Sequence, residues 1–290
     1  MECTYHIVAM LYTYLLLVPE NNHDWLAPYA YSIVLFGFAF FLFRLFESNY
    51  AAYYDRPLLR HYAVFRKVSA SQKSLLKQRF SFYNNLPPKQ RRQFEHRVAT
   101  FMARKRFIGR ENFFPDEEHK LLIAAVACML SFGRKNYLYG LVESILIYPQ
   151  EFYSTANDAH HKGEFNPRHR VLALSWKDFE HGYEITNDNL NLGIHEFMHA
   201  MQLEAKTSKD VDSSRFNKHF KNILKRLTNN DVKDKLEETR FFRMYAFTNQ
   251  YEFMAVLAEY FFESPVEFKS QFPELYGYTQ KLLNFRFEKF

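Results

Sequence analysis

The chain has 290 residues, which is enough for one sizeable hydrophobic core with an appended segment. Its 38 Lys and Arg exceed its 32 Asp and Glu, but the formal net charge of +6 is too diffuse to indicate a nucleic-acid-binding protein. The two cysteines, Cys3 and Cys128, exclude a scaffold held together by disulfides. The 32 Phe and 20 Tyr predict an interior dominated by aromatic rings.

The N-terminal part of the chain is apolar and contains no Lys or Arg before Arg44. Leu26 to Phe43 carries no charge and would be about 27 Å long as a helix, close to the ~30 Å hydrocarbon core of a bilayer. Tyr5 to Val18 is a second apolar run. Residues 1–47 are therefore predicted to form an apolar helix or helical hairpin that anchors the chain in a membrane. An aromatic amphipathic helix packed on a soluble domain is the alternative.

The charges on either side of this segment predict its orientation. Acidic residues precede the second apolar run (Glu2, Glu20 and Asp24), and basic residues follow it (Arg44, Arg56, Arg60, Arg66 and Lys67). By the positive-inside rule, the C-terminal side faces the cytoplasm. We expect an inner (cytoplasmic) membrane protein with its larger part in the cytoplasm, or otherwise a cytoplasmic protein.

Residues 48–83 alternate basic and aromatic side chains and predict a connector helix. Such a helix would either lie along an anionic membrane surface or be solvated, and the sequence leaves both readings open. The break at Asn85-Leu86-Pro87-Pro88 marks the boundary of a globular domain that we assign to residues 84–290.

Elements of both kinds are predicted within this domain. The acidic helix start at Pro115 to Glu118 leads into the apolar run Leu121 to Leu130, which predicts a buried helix. Ser144 to Tyr148 and Val171 to Trp176 have the composition of short strands, and Asn157 to Gly163 reads as a loop between them. The predicted fold class is therefore α+β, mostly helical with a small sheet.

The stretch Asn189 to Ala205 contains His195, Glu196 and His199 in the pattern H-E-x-x-H. On a helix, residues four apart share a face, so both imidazoles can point at one metal ion. Such a pair on one helix is typical of a catalytic zinc ion, with the glutamate beside it acting as general base. The spacing therefore predicts that Glu196 takes a proton from a water molecule.

A third metal ligand is expected on a later helix. The run Thr239 to Glu263 has apolar residues at helical spacing and carries Glu252 and Glu259. These two residues are seven positions apart and share a helix face. Either can complete a His/His/Glu site for one Zn²⁺, while the other orients a histidine by accepting its free N–H.

Several segments together resemble the Mlc titration factor A family of zinc peptidases, whose catalytic core is similar to the metalloprotease domain of anthrax lethal factor. The resemblance spans roughly Asn84 to Leu283 and rests on HEFMHAMQ, QYEFMAVLAEYFFESPVEF, FIGRENFFPDEEHKLLIAAVACML, SILIYPQEFY, LSW and FPELYGY. It implies a zincin-like domain that hydrolyses a peptide or protein substrate.

This resemblance also implies roles for individual residues. His195, His199 and Glu252 match the family's zinc ligands, Glu196 its general base, and Tyr245 a tyrosine that supports the transition state. Glu259 is then expected to orient a zinc-binding histidine. In zincins an exposed strand beside the metal receives the substrate backbone, and by resemblance we expect Val171 to Trp176 to be that strand.

Two rival functions follow from the same sequence. The first is a regulatory binding protein with a non-catalytic zinc site, whose partner would be a transcriptional regulator, as the family name implies, or a membrane component. The second is a membrane-anchored scaffold without metal. Neither the preferred peptide sequence nor the choice between terminal and internal cleavage is encoded in a recognisable motif.

Overall fold

The computed structural model describes residues 26–54, 66–154, 158–184 and 188–285, and the chain forms two compact units, residues 1–50 and 51–290. The expected first arm at Tyr5 to Val18 lies outside the described residues, as does part of the connector. The boundaries at residues 47 and 83 stay predictions.

Helix α1 (Ala27–Tyr54) contains nearly all the described residues of the first unit, which ends at Tyr50. Its segment Ala27–Glu47 has a mean hydropathy of 1.8, and none of its apolar window is buried. The helix thus has the length and composition of a membrane-crossing segment. Signal sequences share these two properties.

The second unit is mostly helical, as the composition and spacing predicted. Its helices are α2 (Ala70–Arg79), α3 (Ser81–Asn85), α4 (Pro88–Arg104), α5 (Glu117–Leu130), α6 (Trp176–Glu184), α7 (Leu192–Thr207), α8 (Val211–Leu227), α9 (Asn230–Thr239), a 3-10 turn (Met244–Phe247), α10 (Gln250–Glu263), α11 (Pro265–Gln271) and α12 (Pro273–Leu282).

The described strands form two small sheets. They are β1 (Arg106–Gly109), β2 (Ser144–Tyr148), β3 (Phe152–Ser154), β4 (Ala159–His161), β5 (Gly163–Asn166) and β6 (Val171–Ser175). The larger sheet has the order β1-β2-β6-β5, in which β1, β2 and β6 are parallel and β5 is antiparallel to β6. Strands β3 and β4 pair separately.

Two expectations about the strands were wrong. Strand β6 lies in the interior of the sheet, paired with both β2 and β5, so its backbone is not open to a substrate. The open edge on that side is β5. The stretch read as a loop from Asn157 to Gly163 instead contains β4 and the start of β5. These strands are too short to show a hydrophobic pattern of their own.

The core surrounds α5, whose residues Leu121 to Leu130 are all buried, as expected. Aromatic rings fill much of the remaining space. Phe82 lies 5.4 Å from Phe94 and 5.7 Å from Phe132 between ring centroids, the second pair in an edge-to-face arrangement. Such pairs contribute about 0.5–1.5 kcal/mol beyond the area that they bury. The high Phe and Tyr content is therefore a property of the core.

The apolar run Thr239 to Glu263 is not one continuous helix. Helix α9 ends at Thr239, Arg240 adopts a left-handed φ of 46°, and α10 begins only at Gln250. The Asn249 side chain accepts hydrogen bonds from the first-turn N–H groups of Tyr251 (2.8 Å) and Glu252 (3.1 Å), which fixes the start of α10. Tyr245 consequently lies in the 3-10 turn that precedes the helix.

Candidate metal centre

Helix α7 carries the H-E-x-x-H pattern. Its first turn is capped by Asn191, whose Oδ1 accepts a hydrogen bond of 3.0 Å from the N–H of Ile194. His195 and His199 follow one turn apart, and their Nε2 atoms are separated by 3.1 Å. Both imidazoles therefore direct their Nε2 atoms at one place, where a single metal ion could contact both.

Glu252 comes to this place from the first turn of α10. Its Oε2 lies 2.9 Å from the Nε2 of His195, and its Oε1 lies 3.4 Å from the Nε2 of His199. One donor atom from each of these three residues lies within 4.8 Å of the others. Two elements that are distant in sequence thus bring together two imidazoles and one carboxylate.

The chemistry of this donor set fits a divalent metal ion. Two histidines and a glutamate are a known ligand set of catalytic zinc, and they leave a coordination position open. The surroundings of His195 also favour positive charge: burial lowers its pKa, but hydrogen bonds to Glu252 and Glu259 outweigh burial and raise the pKa to about 10. Burial raises the pKa of Glu252, yet the two imidazoles hold it far below the usual range.

Glu259 lies behind His195. Its side chain is 1% exposed, and its Oε1 is 2.7 Å from the Nδ1 of His195. The second oxygen accepts a hydrogen bond of 3.0 Å from the N–H of Asn191. The two candidate third ligands therefore differ in position: Glu252 faces the Nε2 atoms that converge, and Glu259 faces the opposite side of the His195 ring.

Glu196 and Tyr245 lie beside the converging side chains of His195, His199 and Glu252. Glu196 is 6% exposed, and burial raises the pKa of its carboxyl. The Tyr245 ring lies 5.9 Å from the His195 ring, and 51% of the residue is exposed. Burial and the negative charge of Glu252 together raise the pKa of Tyr245 to about 12, so its hydroxyl remains a hydrogen-bond donor at neutral pH.

An open cleft of about 580 Å³ lies against this group, a volume typical of ligand-binding pockets. It reaches the β3–β4 region, the start of β5 and helix α6. Its lining consists of Glu151, His160, His161, Lys162, Gly163, Lys177, Asp178, His181, Leu190, Leu192, His195, Glu196, Arg243, Tyr245 and Glu259. The start of β5 therefore lines the same cleft as His195 and Glu196.

Two residues of this cleft were missed by sequence reasoning. Arg243 contacts Glu259 through both of its terminal nitrogens, and no local pattern announces such a partner. Gly163 packs against Glu196 at the start of β5. A glycine within a strand is a known signal for close approach by another group, but the strand itself was not recognised.

Comparison with known proteins agrees with the geometry. The family described as glucose-regulated metallo-peptidase M90 matches residues 58–283, which extends further towards the N-terminus than the domain expected from residue 84. A relative from Synechocystis sp., the uncharacterized protein slr2042, is 30% identical over 252 residues, which cover 79% of this chain and 85% of the relative. This is the family that the sequence motifs resemble. The chain therefore belongs to the glucose-regulated metallopeptidase M90 family.

Proposed function

We propose that this chain is a zinc-dependent peptidase that hydrolyses peptide bonds, with Glu196 as the general base. The observation that carries the proposal is the convergence of His195, His199 and Glu252 from two helices, with Glu196 and an open cleft beside them. These three residues would hold the zinc ion. When bound, zinc supplies Lewis acidity both to the scissile carbonyl and to the attacking water.

The remaining chemistry belongs to side chains of the chain itself. Glu196 accepts the proton of the attacking water at a carboxylate oxygen and returns it to the leaving nitrogen. Tyr245 donates its hydroxyl hydrogen to the oxygen that becomes negative during the attack. Glu259 accepts the Nδ1–H of His195 and so keeps the lone pair of Nε2 directed at the metal.

Substrate recognition is proposed to run through the main chain. Strand β5 forms the edge of the sheet nearest α7, and a peptide added to this edge would gain backbone hydrogen bonds that need no particular side chains. The substrate is thus an extended peptide or an unfolded segment of a protein.

A membrane anchor is the second part of the proposal. The segment Ala27–Glu47 has the length and hydropathy to cross a bilayer, and Arg44 together with later basic residues follows its apolar part. We infer that the peptidase unit is held at the cytoplasmic face of the inner membrane. Proteolysis of inside-out vesicles, but not of intact cells, should digest this unit. The opposite pattern would contradict the orientation.

The decisive test of the activity is Glu196→Gln, which removes the base but no ligand. The zinc-loaded wild type should cleave members of a peptide library and lose this activity with a chelator. The variant should retain one zinc ion per chain and show no cleavage. Turnover by the zinc-loaded variant would refute the role of Glu196. A wild type that binds zinc tightly but cleaves nothing would favour a regulatory binding protein.

A further inference from the structure

Gly163, the first residue of β5, is in unusually close contact with Glu196. A Cβ atom placed on Gly163 would lie 2.6 Å from both Cγ and Oε1 of Glu196 and 2.7 Å from its Cδ. Ordinary van der Waals contacts of a Cβ begin at 3.4 Å. Any side chain at position 163 would therefore force the Glu196 side chain to shift.

Packing is what fixes this carboxyl. In the described part of the chain, no residue donates a hydrogen bond to Glu196, although Glu252 and Glu259 nearby each accept several. The position of the Glu196 carboxyl therefore depends on the helix that carries it and on the surface against which it lies. Part of that surface is the main chain of Gly163.

The same glycine presents its main chain to the cleft. The N–H of Ser175 donates to the carbonyl oxygen of Lys162 at 2.7 Å, so Lys162 directs its backbone towards β6. Because adjacent residues of an antiparallel strand direct their backbone groups to opposite sides, those of Gly163 point away from β6 and towards the open edge. Gly163 thus joins the surface behind Glu196 to the edge on which a peptide would pair.

Other glycines show that this contact is specific. Gly193 and Gly182 are also tightly packed, but against other groups. A Cβ on Gly193 would meet the Phe179 ring, and a Cβ on Gly182 would meet the backbone near Asn191. Gly277, in α12, has open space around it. Among the glycines in the described ranges, only Gly163 touches a residue with a proposed catalytic role.

We propose that Gly163 is a positioning residue, whose lack of a side chain sets the place of the Glu196 carboxyl relative to a peptide bound at the edge of β5. This inference rests on the proposed role of Glu196. A methyl group on Gly163 must push that carboxyl by about 1 Å to restore ordinary contact. A misplacement of about 1 Å in a catalytic group can lower the rate by about a hundredfold.

The experiment compares Gly163→Ala with Gly277→Ala in the full chain, each loaded with zinc. For Gly163→Ala, kcat should fall by about a hundredfold, while KM changes by less than about threefold and the zinc content stays that of wild type. Gly277→Ala should match wild type in all three. Wild-type kcat in Gly163→Ala, or a loss of kcat that parallels a loss of zinc, would overturn the proposal.

A double-mutant cycle separates positioning from a general structural role. The cycle is read on thermal stability, because Glu196→Ala lacks the proposed general base and is expected to show no cleavage. Any loss of thermal stability in Gly163→Ala should disappear in the Glu196→Ala background, where the clash is removed. A stability loss that persists there would show that the glycine serves the strand alone.

Crystal structures of the wild type and Gly163→Ala keep the inference independent of the activity. If the wild type hydrolyses nothing, the proposed function fails, but the Glu196 carboxyl should still be displaced by about 1 Å in the variant. An unmoved carboxyl would overturn the positioning role even if the wild type is an active peptidase.

Discussion

Arg243 and Glu259 form a two-pronged ion pair behind the candidate metal centre, with Nη1 of Arg243 2.9 Å from Oε2 and Nη2 2.7 Å from Oε1. Glu259 is 1% exposed on its side chain, so its charge depends on such partners. The same carboxylate accepts hydrogen bonds from His195 and from the N–H of Asn191. One buried carboxylate thus links His195 of the candidate metal centre, the start of α7 and the segment that leads to Tyr245.

We expect Arg243→Met to destabilise the fold by about 3 kcal/mol, because it leaves the charge of Glu259 buried without its strongest partner. The measurement is urea unfolding of the peptidase at pH 7. Arg240→Met, which alters an exposed arginine nearby, is the matched control and should lie within about 0.5 kcal/mol of wild type. Equal stability of the two variants would mean that the ion pair is energetically neutral.

Glu259→Gln should weaken zinc binding by about ten- to a hundredfold, because the amide no longer accepts the Nδ1–H of His195 as a charged group. Zinc affinity is measured by competition with a chromophoric chelator. Glu267→Gln changes an exposed glutamate on the next helix and should retain wild-type affinity. If both variants bind zinc like the wild type, Glu259 does not orient the metal-binding histidine.

Tyr245→Phe should lower kcat by about ten- to a thousandfold, which is the usual effect of removing one hydrogen-bond donor to a developing oxyanion. Zinc content should not change, because the tyrosine is not among the three converging donors. Tyr251→Phe removes a neighbouring hydroxyl and serves as the control in the same steady-state assay. An undiminished kcat in Tyr245→Phe would assign this residue a structural role only.

Glu263 should make the protein less stable as the pH rises. Burial raises its pKa to about 8 in the folded chain, against an ordinary value of 4.5. Between these values the folded state holds a proton that the unfolded state has lost, so the free energy of unfolding falls with increasing pH. Below pH 4.5 both states are protonated, and above pH 8 neither is.

Denaturant unfolding of Glu263→Gln at pH 5, 7 and 9 tests this dependence. The variant should gain stability over wild type progressively from pH 5 to pH 9, because its amide carries no proton to lose. Glu238→Gln, at an exposed position of α9, should follow the wild-type curve. A constant difference between Glu263→Gln and wild type across this range would contradict the prediction.

The site was largely predictable because its residues sit in local patterns. The shared face of His195 and His199 follows from their i, i+4 spacing on a helix, which the H-E-x-x-H pattern predicted. The seven-residue spacing of Glu252 and Glu259 put both on one face of α10. Which nitrogen of His195 each carboxylate faces depends on the packing of α10 against α7, which no local pattern contains.

The edge of the sheet was not predictable in the same way. Strand β5 contains Gly163 and Asn166, residues that are rare in strands, so its pairing with β6 is decided by tertiary contacts. Arg243 precedes the 3-10 turn and contacts Glu259 across 16 positions, a relationship without a sequence period. The helix start at Gln250 was also missed, because the apolar spacing continues from Thr239, although Asn249 is a residue type favoured at helix starts.

The central claim is tested most directly by anomalous X-ray scattering at the zinc absorption edge, on crystals of the purified chain loaded with zinc. The account predicts one strong peak, about 2.0–2.2 Å from the Nε2 atoms of His195 and His199 and from a carboxylate oxygen of Glu252. A protein without bound zinc under these conditions, or a peak bound by Glu259 in place of Glu252, would contradict it.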